Sequence, residues 1–146
     1  MPDQRTPDRR IPVDHVCPDF VPGRELRVTD LVLEELVAGE PLLRVEYTIT
    51  PALPPRGRRP TVASWPVVWD ATAATDDQGT AYRDGGGAWG PAPGGDRTTG
   101  TLTISPAPPP AARRLRVVLR AWFPWATPVE AFRECVVEVE LTAASD

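Results

Sequence analysis

An all-β fold, a seven-stranded antiparallel β-sandwich, is predicted on three observations. Apolar and polar residues alternate at period two over several segments, most cleanly where Leu43, Val45, Tyr47 and Ile49 interleave with Arg44, Glu46, Thr48 and Thr50. Nineteen prolines and eleven glycines punctuate a chain of 146 residues, which excludes long helices and a helix bundle. Leu, Ile, Val and Phe number 33, enough for the modest core of one domain of this length.

Residues 1–22 hold five prolines and read as a Pro-rich tail, with Ile11, Val13, Val16 and Phe20 able to lay part of it along a sheet edge. The domain is expected over 23–142, and 143–146 form a short C-terminal tail. The first strand, 24–37, carries Leu26 and Val28, then Leu31 and Leu33, so its phase slips near Asp30 as a bulge would make it do. The second, 42–50, is the alternating segment already named. The break 51–60 cannot lie inside a sheet, and a third strand is expected over 62–73 through Trp65, Val67, Trp69 and Ala71. Asp76-Asp77-Gln78-Gly79 then supplies a turn, with glycine where positive φ is needed. A short fourth strand, 80–83, carries Tyr82, and 84–97 reads as a Gly/Pro loop with Trp89 in its middle. Strands at 99–105, 113–122 and 133–141 complete the set.

Charge adds what periodicity cannot supply. The sixth strand sets Arg116 and Arg120 between Leu115, Val117 and Leu119, whereas the seventh sets Glu134, Glu138 and Glu140 between Cys135, Val137 and Val139. Opposite charges facing each other across antiparallel strands contribute about 0.2–1 kcal/mol per pair, so these two strands should be neighbours.

Seven antiparallel strands with regularly spaced turns point to an immunoglobulin-like sandwich, although the Cys, Trp, Cys spacing of antibody domains is missing. Residues 24–141 also contain a tryptophan-bearing strand leading to Asp76, Asp77, Gly79 and Tyr82, a Gly-rich stretch, and a strand ending in Ser105-Pro106-Ala107-Pro108. In these features the chain resembles a group of uncharacterised bacterial immunoglobulin-like β-sandwich domains. The resemblance implies an accessory or binding role rather than a reaction.

Composition narrows the chemistry. All sixteen basic residues are Arg, against 20 acidic residues, and the net charge of −4 does not favour nucleic acid. No apolar run is long enough for a membrane span, and the start MPDQRTPDRR has no apolar signal core, so the expected address is cytoplasmic, with Cys17 and Cys135 reduced. His15 is the sole histidine and lacks a CxxC or second His to complete a metal site, and no nucleophile motif occurs. The chain is therefore expected to be no enzyme and to need no cofactor. Asp76 and Asp77 are explained by turn hydrogen bonding, with calcium as the alternative. Gly85-Gly86-Gly87 precedes no helix and is not a phosphate cradle.

Five tryptophans exceed what a small sandwich core needs. Trp65 and Trp69 fall in phase on one strand, which assigns at least one of them to packing, while Trp89, Trp122 and Trp125 lie in or beside loops. Alternate connections of a sandwich gather at the same end, so Arg56, Arg58, Arg59, Trp89, Phe123 and Trp125 are expected at one pole. Trp and Arg are the residues enriched at binding hot spots. The expected function is a non-catalytic interaction or structural module presenting this pole to a protein partner. The alternative is a carbohydrate-binding module that uses exposed Trp rings, and a third possibility is that the aromatics only plug the end of the sandwich.

Overall fold

A computed structural model describes residues 9–21, 23–34, 41–53, 68–122 and 133–141. Among the described residues there are eight strands: β1 (Arg9–Val21), β2 (Arg24–Glu34), β3 (Leu42–Thr50), β4 (Val68–Asp76), β5 (Arg83–Pro91), β6 (Thr98–Ser105), β7 (Arg114–Trp122) and β8 (Arg133–Glu140). They form a five-stranded sheet in the order β1-β2-β3-β6-β5 and a three-stranded sheet in the order β4-β7-β8. Every pairing is antiparallel. The all-β, antiparallel expectation holds, with eight strands in place of seven.

The added strand is β1, which the sequence reading placed in a tail. Ile11, Val13 and Cys17 alternate toward the core, and the pairing with β2 shifts register twice, between Pro12 and His15 and between Cys17 and Val21. Asp14 and Asp19 take positive φ, 50° and 57°, next to these shifts. Asp14 is held there by Arg27, whose Nη1 donates to its carboxylate at 2.6 Å, and Asp19 accepts the Gly23 amide at 2.9 Å. Prolines are tolerated because β1 lies at a sheet edge, where a missing N–H leaves no ladder partner unpaired.

The second correction concerns residues 84–97. Most of this Gly-rich segment is strand β5, paired with β6 from Arg83↔Ser105 to Pro91↔Thr98, while 80–82 belong to the preceding turn. Glycine is required where β5 meets its neighbour: a Cβ on Gly87 would stand 2.2 Å from the Thr101 carbonyl oxygen. Of the third expected strand, 62–67 lie outside the described residues, and the described part is β4, which runs on to Asp76.

Other readings held. The slip in β2 falls between Val28 and Asp30, leaving Thr29 as the extra residue of a bulge. Strands β7 and β8 pair with Arg114 opposite Glu140, Arg116 opposite Glu138 and Arg120 opposite Glu134. The Arg116–Glu138 ion pair spans 3.3 Å between well-exposed side chains, so it favours register more than stability. The core lies between Leu26, Val28, Leu43, Val45, Tyr47, Ile49, Leu102 and Ile104 of the larger sheet and Leu115, Val117, Leu119, Cys135 and Val137 of the smaller. Val139, expected inside, is only half-buried against it.

Between the two sheets run two seams with no backbone ladder, where β5 approaches β4 and β1 approaches β8. Side chains close both. At the first, the Asp84 carboxylate accepts the Thr72 amide at 3.0 Å. At the second, Cys17 and Cys135 form a disulfide, and Arg133 pairs with Asp19 at 3.6 Å. The expectation of two reduced thiols is therefore corrected, because β1 is a strand on which Cys17 faces the core in phase with Ile11 and Val13, within bonding reach of β8, 118 residues later.

Candidate functional site

Strand order decides which connections share an end. Val21 pairs with Arg24, Glu25 with Thr50, Ile49 with Thr98, and Thr98 with Pro91, so the β1–β2 turn, the end of β3 and the β5–β6 turn meet at one pole of the larger sheet. In the smaller sheet Val68 pairs with Trp122, and Ala121 with Arg133. Contact between Arg133 and Asp19 puts these at the same pole. The chain thus leaves for β4 at Leu53 and for β8 at Trp122 from one end of the sandwich.

The floor of this pole is well determined. Leu53 donates its amide to Thr98 Oγ1 at 2.9 Å, Arg24 Nε donates to the Ala52 carbonyl at 3.2 Å, and Phe20 and Leu53 join the core cluster. In the β5–β6 turn the Gly95 amide bonds the Ala92 carbonyl at 2.9 Å, and Gly94 and Gly95 both take positive φ. Arg56, Arg58, Arg59, Trp65, Phe123, Trp125 and the Trp69 and Trp122 side chains lie outside the described residues. Trp89 lies within them, and its expected place in a loop is corrected: it sits on β5, opposite Gly100. Gly100 in turn faces Tyr47, whose ring occupies the space a Cβ would need, within 2.3 Å. Directly paired residues point to the same face, so Trp89 lies on the inner face and packs half-buried against the core.

The opposite pole is organised by the Asp-Asp turn. Asp76 accepts the amides of Gln78 and Thr80 at 2.8 and 3.1 Å and the Tyr82 hydroxyl at 2.7 Å. Asp77 accepts the Arg113 amide at 2.9 Å, tying this turn to the start of β7. These carboxylate oxygens are engaged by protein donors, which favours the turn reading over the calcium alternative. Partial burial works to raise the Asp76 pKa, but the hydrogen bonds from Thr80, Tyr82 and Gln78 outweigh it and hold the carboxyl at about 2. Burial, and then the bond to Asp76, raises the Tyr82 phenol. Because the Asp76 pKa is lowered on folding, its contribution is present above the unfolded value near 3.8 and is lost as pH falls toward 2. Discounted for solvent screening, this amounts to on the order of 1 kcal/mol. Thermal melts between pH 5 and about 2 should therefore decline more steeply for the wild type than for Asp76→Asn; parallel declines would refute the role of this carboxylate.

Two further clusters escaped the sequence reading. On the outer face of the larger sheet Arg10 pairs with Asp30 at 3.2 Å and with Glu46, while Arg44 pairs with Glu34 and, at 3.5 Å, with Glu46. This network spans β1, β2 and β3, with fully buried Val32 in register between Arg10 and Arg44. Beside it a shallow depression of about 470 Å³ is lined by Glu46, Thr48, Thr99 and Thr101. At the β1–β8 seam, donor atoms of His15, Cys17 and Cys135 lie within 4.8 Å of one another. Neither grouping is visible without the β1 register.

No protein-family model matches the chain, and neither a curated protein nor a solved structure matches it significantly. Among the described residues, no helix is long and apolar enough to cross a membrane.

Proposed function

We propose that the chain is a non-catalytic interaction or structural module, an immunoglobulin-like sandwich that presents Arg56, Arg58, Arg59, Phe123 and Trp125 to a protein partner from one pole. One observation carries this reading: the described flanks of both connections, Leu53 with Val68 and Trp122 with Arg133, meet at the same end. Trp89 contributes to the floor beneath them. Pro124 and Pro128 stiffen the backbone around Trp125, which lowers the entropic cost of ordering it on binding.

The test is a pull-down from the native host with two variants, Trp125→Ala and a triple Arg56, Arg58, Arg59→Ala. Both are expected to keep the wild-type melting temperature and to lose the same partner, and the Arg variant should also flatten the salt dependence of binding. Loss of about 3–5 kcal/mol of stability in Trp125→Ala would instead mark a core ring, and unrelated partners for the two variants would dissolve the shared pole.

The disulfide supports a non-reducing compartment rather than the cytoplasm first expected, since glutathione and thioredoxin keep cytosolic thiols reduced. That setting favours the second reading, carbohydrate binding, in which Thr48, Thr99 and Thr101 of the hydroxyl-lined depression meet a sugar. Retardation of the chain in polysaccharide gels, relieved by Thr99→Val and Thr101→Val and not by the pole variants, would support it over the protein-partner reading.

A further inference from the structure

The β1–β8 seam holds more chemistry than a covalent staple requires. Cys17 pairs in register with Leu26 and His15 with Val28, both fully buried, so the Cys17 thiol and the His15 ring project from the same inner side of β1. Two residues apart on one strand, they share that side by ordinary alternation, in phase with Ile11 and Val13, and this sets the imidazole beside the two sulfurs. Among the described residues the His15 ring has no hydrogen bond or ion pair. Cys135 is 1% exposed, whereas Cys17 opens onto a depression of about 340 Å³ that is also lined by Asp19, Arg133 and Glu134.

We propose that, once the disulfide is reduced, Cys17, Cys135 and His15 form a zinc site that keeps the same seam closed. Reduction by a dithiol breaks the S–S bond with transfer of two electrons and two protons, and the reductant departs as its own disulfide. A zinc ion then displaces both thiol protons, giving two thiolate ligands and one imidazole. Zinc lies about 2.3 Å from thiolate sulfur and about 2.0–2.1 Å from imidazole nitrogen, so tetrahedral donors stand roughly 3.5–3.8 Å apart. Three donors already within 4.8 Å reach this arrangement by side-chain rotation as the sulfurs separate. The fourth position faces the depression and takes water or a carboxylate from Asp19 or Glu134. Two thiolates and an imidazole are the donors that select zinc over magnesium or calcium.

The test uses the full chain, reduced by a dithiol that is then removed without oxygen, and titrated with Co²⁺ as the spectroscopic probe and Zn²⁺ as competitor. One Co²⁺ per reduced chain is expected, with a thiolate-to-cobalt charge-transfer band that Zn²⁺ abolishes, and no band in the oxidised chain. Cys17→Ser should eliminate the band, and His15→Ala should weaken Zn²⁺ binding at least about tenfold. Wild-type binding no tighter than that of Cys17→Ser, or unchanged in His15→Ala, would overturn the proposal. Should the reduced chain lose its strand signal in far-ultraviolet circular dichroism, one equivalent of Zn²⁺ must restore it in the wild type and not in Cys17→Ser. Failure of that rescue also overturns the proposal.

Discussion

Val137→Asp is expected to destabilise the oxidised domain by about 3–5 kcal/mol, whereas Val136→Asp, one residue earlier, should cost under about 1 kcal/mol. Val137 is 1% exposed and pairs directly with Val117, which is fully buried. A carboxylate there would lose its hydration between the two sheets, with only aliphatic neighbours in register. An unpaired buried charge is among the few single changes that remove several kcal/mol, and the introduced group would relieve part of the cost by staying protonated. Val136 points the other way on the same strand and is half-exposed. Guanidinium unfolding of the two variants therefore measures the period-two alternation of β8 itself. Equal midpoints would mean that its inward face has been misassigned.

That alternation is also why parts of the fold were legible in the sequence. In β3, β7 and β8 the inward side chains Leu43, Val45, Tyr47, Ile49, Leu115, Val117, Leu119, Cys135 and Val137 are buried, and most outward ones are polar or charged, so burial and pattern largely coincide. The Arg face of β7 and the Glu face of β8 identified neighbours as well as strands. β1 was hidden because its inward phase changes between Cys17 and Phe20 and one inward position holds His15, and because prolines that bar a central strand are acceptable at an edge. β5 was hidden for a different reason. Its glycines look like loop residues when they are counted, yet Gly87 and the neighbouring Gly85 sit where the backbone and Thr103 of β6 leave no room for a side chain. The described flanks of the two connections share an end whether or not β1 is counted, because adding it before the others renumbers the connections without moving those strand ends. The His15, Cys17 and Cys135 cluster could not be inferred, since it needs residues 9–21 to be a strand and that strand to close onto the last.

Removing that closure should have the largest effect of any change at the surface of the core. The disulfide joins residues 118 apart, and a loop of this length restricts the unfolded chain by about 5 kcal/mol in the chain-entropy treatment, with about 2–5 kcal/mol typical of native bridges. The double variant Cys17→Ser, Cys135→Ser is therefore expected to lose that much stability, in addition to the cost of a hydroxyl at the buried Cys135 position. The loss should also be directional. β1 keeps its ladder to β2, and β8 keeps its ladder to β7, but nothing equivalent to a ladder crosses between them. Amide hydrogen exchange should accelerate first along the facing edges of β1 and β8 and last in β3 and β6, whose pairing lies inside the larger sheet. Thiol labelling provides the independent check: wild-type chain denatured without reductant should expose no reactive thiol, and two after treatment with a dithiol. Two thiols before reduction would show that the seam is held by packing alone. In that case the double variant should lose only the cost of the hydroxyl at the buried Cys135 position, since there would be no covalent constraint on the unfolded chain to remove.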